Sequence, residues 1–438
     1  MAWRTRIVSM VTTTALAVAG GVLVVPAAAP AAGPANPFAG ARGYVDPDWS
    51  AAARATAAQG GDPGPALSVV ARRSTAVWLD SIAAISGTPG RRGLRAHLDE
   101  ALAQQHRGHR PVVITLVLYN LPNRSCTRAP SAELDDVAAY RTQFVDPVAA
   151  ILAEPAYRRL RVAVVVEPDA LANALYSHFE CARAGEIYQA AIPYALSRLH
   201  ETPNVYAYLD VTQSNQLGWD DSRQAAVALV RRVADRTPAG VESVDGFAVN
   251  VADYDPADEP FLDIAMTRAG VPIRQTRWVD WNSHLEESTF VDAMHAALVA
   301  AGFPERVGAL LDTSRNGWGG PARPTAVSTS TAVDTFVDQS RIDRRPTRST
   351  WCNQKGAGLG EPPRAAPRTH VHAYAWVKQP GVSDGNEAAD VRCDPNGQIP
   401  PIGASNRPTN AMAGAPPRGE WFPAAFTELV RNAYPPVR

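Results

Sequence analysis

Apolar, strand-like runs alternate with helical stretches from Val112 to Val377, which predicts an α/β fold on parallel strands. Right-handed crossovers then leave two arrangements, an open doubly wound sheet or a parallel β/α barrel. Polar residues stand at the carboxyl end of nearly every run, and this favours the barrel, whose active site collects there. No internal repeat or mid-chain linker is evident. One catalytic-size domain, residues 33–438, is expected.

Each run supports this reading. Arg161–Val166 (RVAVVV) is β-branched and uncharged after its first residue, as a strand buried on both faces requires. Glu167-Pro168-Asp169 ends it, because proline lacks the amide a central ladder needs. Asp169 is thus delivered at a strand end before helix-compatible ALANALY, where it is either a helix N-cap or a catalytic acid. Val112–Leu121 runs into Tyr119 and Pro122-Asn123-Arg124-Ser125-Cys126; Val205–Asp210, Gly246–Asn250, Val307–Asp312 and Val371–Val377 end at Asp210, Asn250, Asp312 and Lys378. Helices are predicted over Leu94–Gln105, Ser222–Ala234 and Ser288–Ala301, with a capped surface helix in GYVDPDWSAAARATAA. Ser74–Ile85 carries Trp78 and Asp80 at the end of a short apolar stretch. Gly381–Arg418, rich in Gly, Pro and Asn, is too long for an idle connection and reads as a functional loop tethered by Cys393.

The amino terminus is a different material. Arg4 and Arg6 precede the apolar, small-residue stretch Ile7–Val25 and Pro26-Ala27-Ala28-Ala29. Residues 1–32 read as a secretory signal peptide cleaved near Ala29 or Ala32, with a retained membrane anchor as the alternative. Export to an oxidising compartment lets Cys126, Cys181, Cys352 and Cys393 form two disulfides, in any of three pairings.

The 42 basic and 43 acidic residues nearly cancel without long runs, which argues against a nucleic-acid or anionic-membrane partner. A monomer acting on an uncharged ligand is expected. The 10 tryptophans against 10 phenylalanines suit the apolar faces of sugar rings, although core packing accounts for tryptophan as well. Metal and cofactor motifs are missing: no C-x-x-C, no Walker loop, no G-x-S-x-G, and Gly356-Ala357-Gly358-Leu359-Gly360 lacks dinucleotide spacing. His370 and His372 could be ligands but read better as neighbours on one strand face. Asn123-Arg124-Ser125 is formally a glycosylation sequon, discounted because it abuts the proposed site. What remains is a set of carboxylates, Asp169, Asp210, Asp312 and Asp384, and paired acids without metal ligands point to acid–base hydrolysis of a glycosidic bond.

Several long segments carry a resemblance. VLYNLPNRSC (117–126), VVVEPDALAN (164–173), NVYAYLD with LGW (204–210, 217–219), FAVNVADY (247–254), RWVDWN (277–282), LLDTSRNGWGGPARPT (310–325), SRIDRR with WCNQKGAGLGE (340–345, 351–361) and WVKQPGVSDG (376–385) resemble glycoside hydrolase family 6, nearest to its bacterial exocellulases. The resemblance implies a distorted β/α barrel that hydrolyses β-1,4-glucan with inversion outside the cell. It implies Asp169 as proton donor and Asp384 as the proposed base. Tyr119 and Arg124 then line the central sugar site. Trp78, Asp80, Asp210, Asn250, Trp351 and Lys378 stand at sugar-binding positions, and Trp219 is an outer platform. It also implies the pairings Cys126–Cys181 and Cys352–Cys393.

The departures cluster around the same centre. Ser125 replaces the aspartate that raises the donor's pKa, and a neutral hydroxyl supplies no like-charge repulsion. Gln213 replaces a histidine, Gln216 a tryptophan platform and Val382 a sugar-binding glutamate; the loop after Cys126 is shortened. Two readings follow, a slow or retargeted glucanase and a non-catalytic glucan-binding protein.

Overall fold

The computed structural model describes residues 1, 3, 34–123, 133–176, 182–399 and 407–438. The chain divides into Met1–Ala32 and Gly33–Arg438, and the fold described is that of the second unit. No described helix is long and apolar enough to cross a membrane.

Among the described residues one sheet holds nine strands: β1 (Arg42–Gly43), β2 (Val77–Leu79), β3 (Val112–Leu118), β4 (Arg161–Val166), β5 (Val205–Asp210), β6 (Gly246–Val249), β7 (Gly308–Asp312), β8 (Arg364–Arg368) and β9 (Val371–Ala375). The path runs β1-β3-β4-β5-β6-β7-β9-β8, with β2 beside the second half of β3. Every pairing is parallel except the β8–β9 hairpin. The sheet curls until its margins meet. The Ala76 amide donates to the Trp376 carbonyl at 3.1 Å and the Trp78 indole to the Val377 carbonyl at 2.8 Å, closing a distorted barrel along a seam that has no strand ladder.

Continuous apolar strands are explained by burial on both faces. Val113, Val117, Ala163, Val165, Tyr206, Tyr208, Ala248 and Leu310 point into the barrel with Phe38. Val112, Ile114, Leu116, Val162, Val164, Leu209, Phe247 and Leu311 point outward onto helices, including Leu94–Gly108, Ala184–His200, Asp220–Ala234 and Glu287–Ala300. The predicted surface helix is Pro47–Ala58, capped by Asp46, whose carboxylate accepts the Asp48 amide at 2.9 Å.

Two elements were not assigned from the sequence. Ser74–Ile85 is a short strand followed by the helix Ile82–Ser86. The antiparallel strand β8, RAAPR, gives no apolar run because it is a largely exposed edge where proline and arginine are tolerated.

Cys352 and Cys393 are bridged, with Cα atoms 5.2 Å apart. Across a separation of 41 residues such a closure is worth about 4 kcal/mol in the chain-entropy model. It fastens the Gly381–Arg418 segment, which carries the one-turn helix Val391–Cys393 and a hairpin of Gln398–Ile399 with Arg407–Pro408. Cys126 and Cys181 lie outside the described residues.

Candidate active site

Parallel pairing sends Tyr119, Asp169, Asp210, Asn250, Asp312 and Lys378 to one end of the barrel, because each stands at or just after the carboxyl end of a strand. The backbone there is unusual. Glu167, Asp169, Thr212, Asn250 and Ala252 all have φ between 48° and 68°, a left-handed conformation that costs non-glycine residues about 1–2 kcal/mol each. Such bends are found where strand-end side chains must be aimed.

Asp169 occupies the N-cap position of the helix Ala170–Leu175, yet its side chain makes no capping bond. It is half-buried, and its amide donates to Asp210 Oδ1 at 3.0 Å. Two residues earlier, Glu167 is buried and accepts the Asn120 and Leu121 amides (3.1 and 3.0 Å) and the Tyr140 hydroxyl (3.0 Å). This carboxylate therefore clamps the turn after β3, which leads to Arg124 and Ser125. Those two residues lie outside the described residues.

Asp210 is 2% exposed. Burial, and then the charge of Asp169, push its carboxyl well above the usual range, against the amides of Asp169 and Thr212.

Asp384 is in the opposite state. It too is buried, which alone would favour the neutral acid, but Arg315 and Lys378 hold it well below the usual carboxylate range. Arg315 Nη1 lies 2.6 Å from Oδ2 and Lys378 Nζ 3.0 Å from Oδ1; the Asn353 amide donates to Oδ2 at 2.9 Å and the Tyr254 hydroxyl at 3.3 Å. The Arg315 guanidinium also lies 4.1 Å from the Tyr254 ring centre. Desolvation lowers the Lys378 pKa, opposed by Asp384.

Around these groups sit aromatic side chains. Trp78 packs edge-on against Tyr119 at 5.2 Å between centroids, and Lys378 Nζ is 6.0 Å from the Trp78 ring. Asp80 pairs with Arg91 at 2.7 Å. Trp351 is half-buried beside the guanidinium groups of Arg418 and Arg392, at 5.7 and 6.0 Å, and Arg418 Nε donates to the Asp384 carbonyl at 3.1 Å. The loop that carries Asp384 is therefore one assembly with Trp351. Val382 lies half-buried next to Ser383, in a small cavity lined also by Tyr254, Arg315 and Asn353. Trp219 is half-buried with its Nε1 on the Asp280 carbonyl at 2.8 Å, and Gln216 is half-buried three residues before it.

Three of the residues singled out in the sequence are bonded within the protein. Asn250 is fully buried, its amide donating to the Asp255 and Asp312 carbonyls at 3.1 and 3.0 Å and accepting the Asp255 amide. These bonds shape a turn. Asp312 accepts the amides of Ala252, Ser314, Val377 and Lys378, tying three strand ends together. Gln213 is 2% exposed and donates to Asp253, which pairs with the fully buried Arg345 at 2.8 Å. Arg315, Tyr254, Asn353 and Glu167, by contrast, had no role assigned from sequence, although all four lie inside the resembling segments.

His370 and His372 have separate partners, Asp292 for the first (3.0 Å) and the Tyr208 hydroxyl and Arg306 carbonyl for the second (2.8 and 3.0 Å). Among the described residues the cluster Asp46, Asp48 and His97 has ligand-like spacing, but Arg92 pairs with Asp48, Gln379 bonds Asp46 and Tyr44 bonds His97.

The profile of Glycosyl hydrolases family 6 matches residues 38–433, nearly the whole of the second unit. The chain belongs to this family. The catalytic domain of Cellulomonas fimi Cel6B superposes with a TM-score of 0.88 at 41% identity, over 93% of this chain and 97% of that one. Cellobiohydrolase II (Cel6A) from Humicola insolens, solved with glucose and cellotetraose, gives 0.71 at 25% identity over 92% and 99%. Exoglucanase A of Cellulomonas fimi is 42% identical over 92% of this chain. The chain spans about half the length of that relative, 49%. Family 6 membership makes the chain one of the glycoside hydrolases.

Proposed function

We propose that the protein is a secreted glucanase that hydrolyses β-1,4-glucosidic bonds with inversion, Asp169 acting as acid and Asp384 as the carboxylate on the side of the attacking water. The observation that supports this reading lies at one end of the barrel: Asp384 is held by Arg315 and Lys378, and Asp169 stands half-buried just after a strand's carboxyl end with its amide on Asp210. Inverting hydrolysis needs one protonated and one ionised carboxyl group. Asp169 gives its proton to the glycosidic oxygen as the bond breaks. Water attacks the opposite face of the oxocarbenium-like centre and loses a proton to Asp384. A carboxylate of low basicity suffices there, because water bonded to so electron-poor a carbon is strongly acidic.

Ser125 supports slow turnover. In its place an aspartate would repel the ionised form of Asp169 and keep it protonated. Asp210 does not substitute for that charge, because burial favours its neutral form. The tethered Gly381–Arg418 segment supports exo attack, as a covered cleft admits a chain by its end. Residues 1–32 are proposed as the signal peptide and 33–438 as one catalytic domain acting as a monomer.

The test is the pH–rate profile on one soluble β-glucan. Ser125→Asp should raise kcat and move the basic limb to higher pH, since a larger fraction of Asp169 stays protonated. An unchanged rate and limb would place any deficit in the shortened loop or at Gln216. Ser125 also favours the second reading, a glucan-binding protein without turnover; that reading holds if wild type and Asp169→Asn are equally inert on this substrate.

A further inference from the structure

Asp169 sits in a turn that suits other residues better. Glu167-Pro168-Asp169-Ala170 has type II geometry: the Glu167 carbonyl accepts the Ala170 amide at 3.2 Å, proline holds the second place, and Asp169 takes the third with φ 68° and ψ −16°. Glycine or asparagine is usual at that third place, so an aspartate stays there only if its surroundings hold it.

Two carboxylates do so. Asp210 accepts the Asp169 amide at 3.0 Å. Glu167, 1% exposed, reaches back across the strand pair: Oε1 accepts the Asn120 amide and the Tyr140 hydroxyl, and Oε2 accepts the Leu121 amide. Its own amide donates to the Leu118 carbonyl at 2.9 Å. The ends of β3 and β4 therefore meet on one side chain. Tyr119 stands between Leu118 and Asn120, both bonded to Glu167, and its amide donates to the Leu79 carbonyl at 2.9 Å, next to Trp78. Tyr140 is fully buried and opens the π-helical stretch Tyr140–Val145, a helix irregularity that recurs at functional sites. Burial, and then the charge of Glu167, push the Tyr140 hydroxyl well up, so it stays a donor.

We propose that Glu167 is a positioning residue for the proton transfer: its carboxylate fixes the spacing between Asp169 on β4 and Tyr119 on β3, from a place that substrate does not reach. This rests on the glucanase reading, in which Asp169 is the acid. A carboxylate suits the task because each oxygen meets one amide. Glutamine has the same shape but a single acceptor oxygen, and its NH2 group would face the other amide, so the clamp opens without a change of volume.

The experiment is kcat and KM of wild type, Glu167→Gln and Tyr140→Phe on two substrates, with each protein shown to be folded by its melting curve. One substrate is cellopentaose; the other is an aryl cellobioside whose leaving group departs without protonation. Glu167→Gln should lower kcat on cellopentaose by about 10–100-fold, the loss expected for an acid displaced by about 1 Å, and should change KM and the aryl rate by no more than about threefold. Tyr140→Phe keeps both amide bonds; it serves if Glu167→Gln does not fold, and should show the same bias on a smaller scale. A residue that only supports the fold would affect both substrates alike. Equal losses on the two substrates, or no loss, overturn the proposal while leaving the glucanase reading intact. If wild type cleaves neither substrate, the glucanase reading fails and the proposal fails with it.

Discussion

Asp169→Asn should lower kcat on an unactivated β-1,4-glucan by about 10²–10⁴, the usual contribution of a positioned general acid. KM and the melting temperature should stay close to wild type, because asparagine is isosteric, tolerates the left-handed φ of 68°, and no capping bond is lost. The deficit should shrink on an aryl glycoside whose leaving group departs without protonation. A variant equally crippled on both substrates would mean that Asp169 positions the glucan and does not protonate it. The measurement is a pair of kcat and KM determinations for each protein on each substrate.

Arg315→Met should produce the largest loss of stability, about 3–5 kcal/mol, because it leaves a buried carboxylate with one cation in place of two. Asp384 and Arg315 are 6% and 4% exposed, so solvent cannot take over. The pH dependence has a definite sign. A carboxyl group whose folded pKa lies below its unfolded value adds stability that is present above the unfolded value and is lost as pH falls through the folded one. With Arg315 gone the folded pKa rises, so the loss on acidification should begin at higher pH than in wild type, and the acid limb of activity should move up with it. In the double variant Asp384→Asn/Arg315→Met no uncompensated charge remains, and part of the stability should return. Urea denaturation across pH reads all three proteins. A single-variant loss under about 1 kcal/mol would show that Lys378 and the Asn353 amide hold Asp384 unaided.

The barrel was legible in the sequence because its strands are buried on both faces. Val162–Val166 and Val112–Leu118 have no polar residue to face solvent apart from Thr115, so each reads as a strand without any partner in view. Edges escape this logic: β8 is exposed and proline-containing, and Val77–Leu79 is too short to show a period. At the site, sequence marked where strands end but not what each terminal side chain bonds. Asn250 and Asp312 look like ligand contacts on the page, and folding commits them to backbone amides and carbonyls of neighbouring loops. Arg315 and Tyr254 were invisible for the converse reason. They reach Asp384 from loops 69 and 130 residues away, and no local spacing encodes that meeting.

The central claim, that this chain cleaves β-1,4-glucan through a protonated and an ionised carboxyl on opposite faces, is tested most directly by the anomer first released. Proton NMR of wild-type protein mixed with cellopentaose, followed from the earliest turnover, should show α-configured cellobiose that mutarotates with time, and no product with Asp169→Asn. Initial release of the β-anomer, or no release by the wild type, would contradict the account.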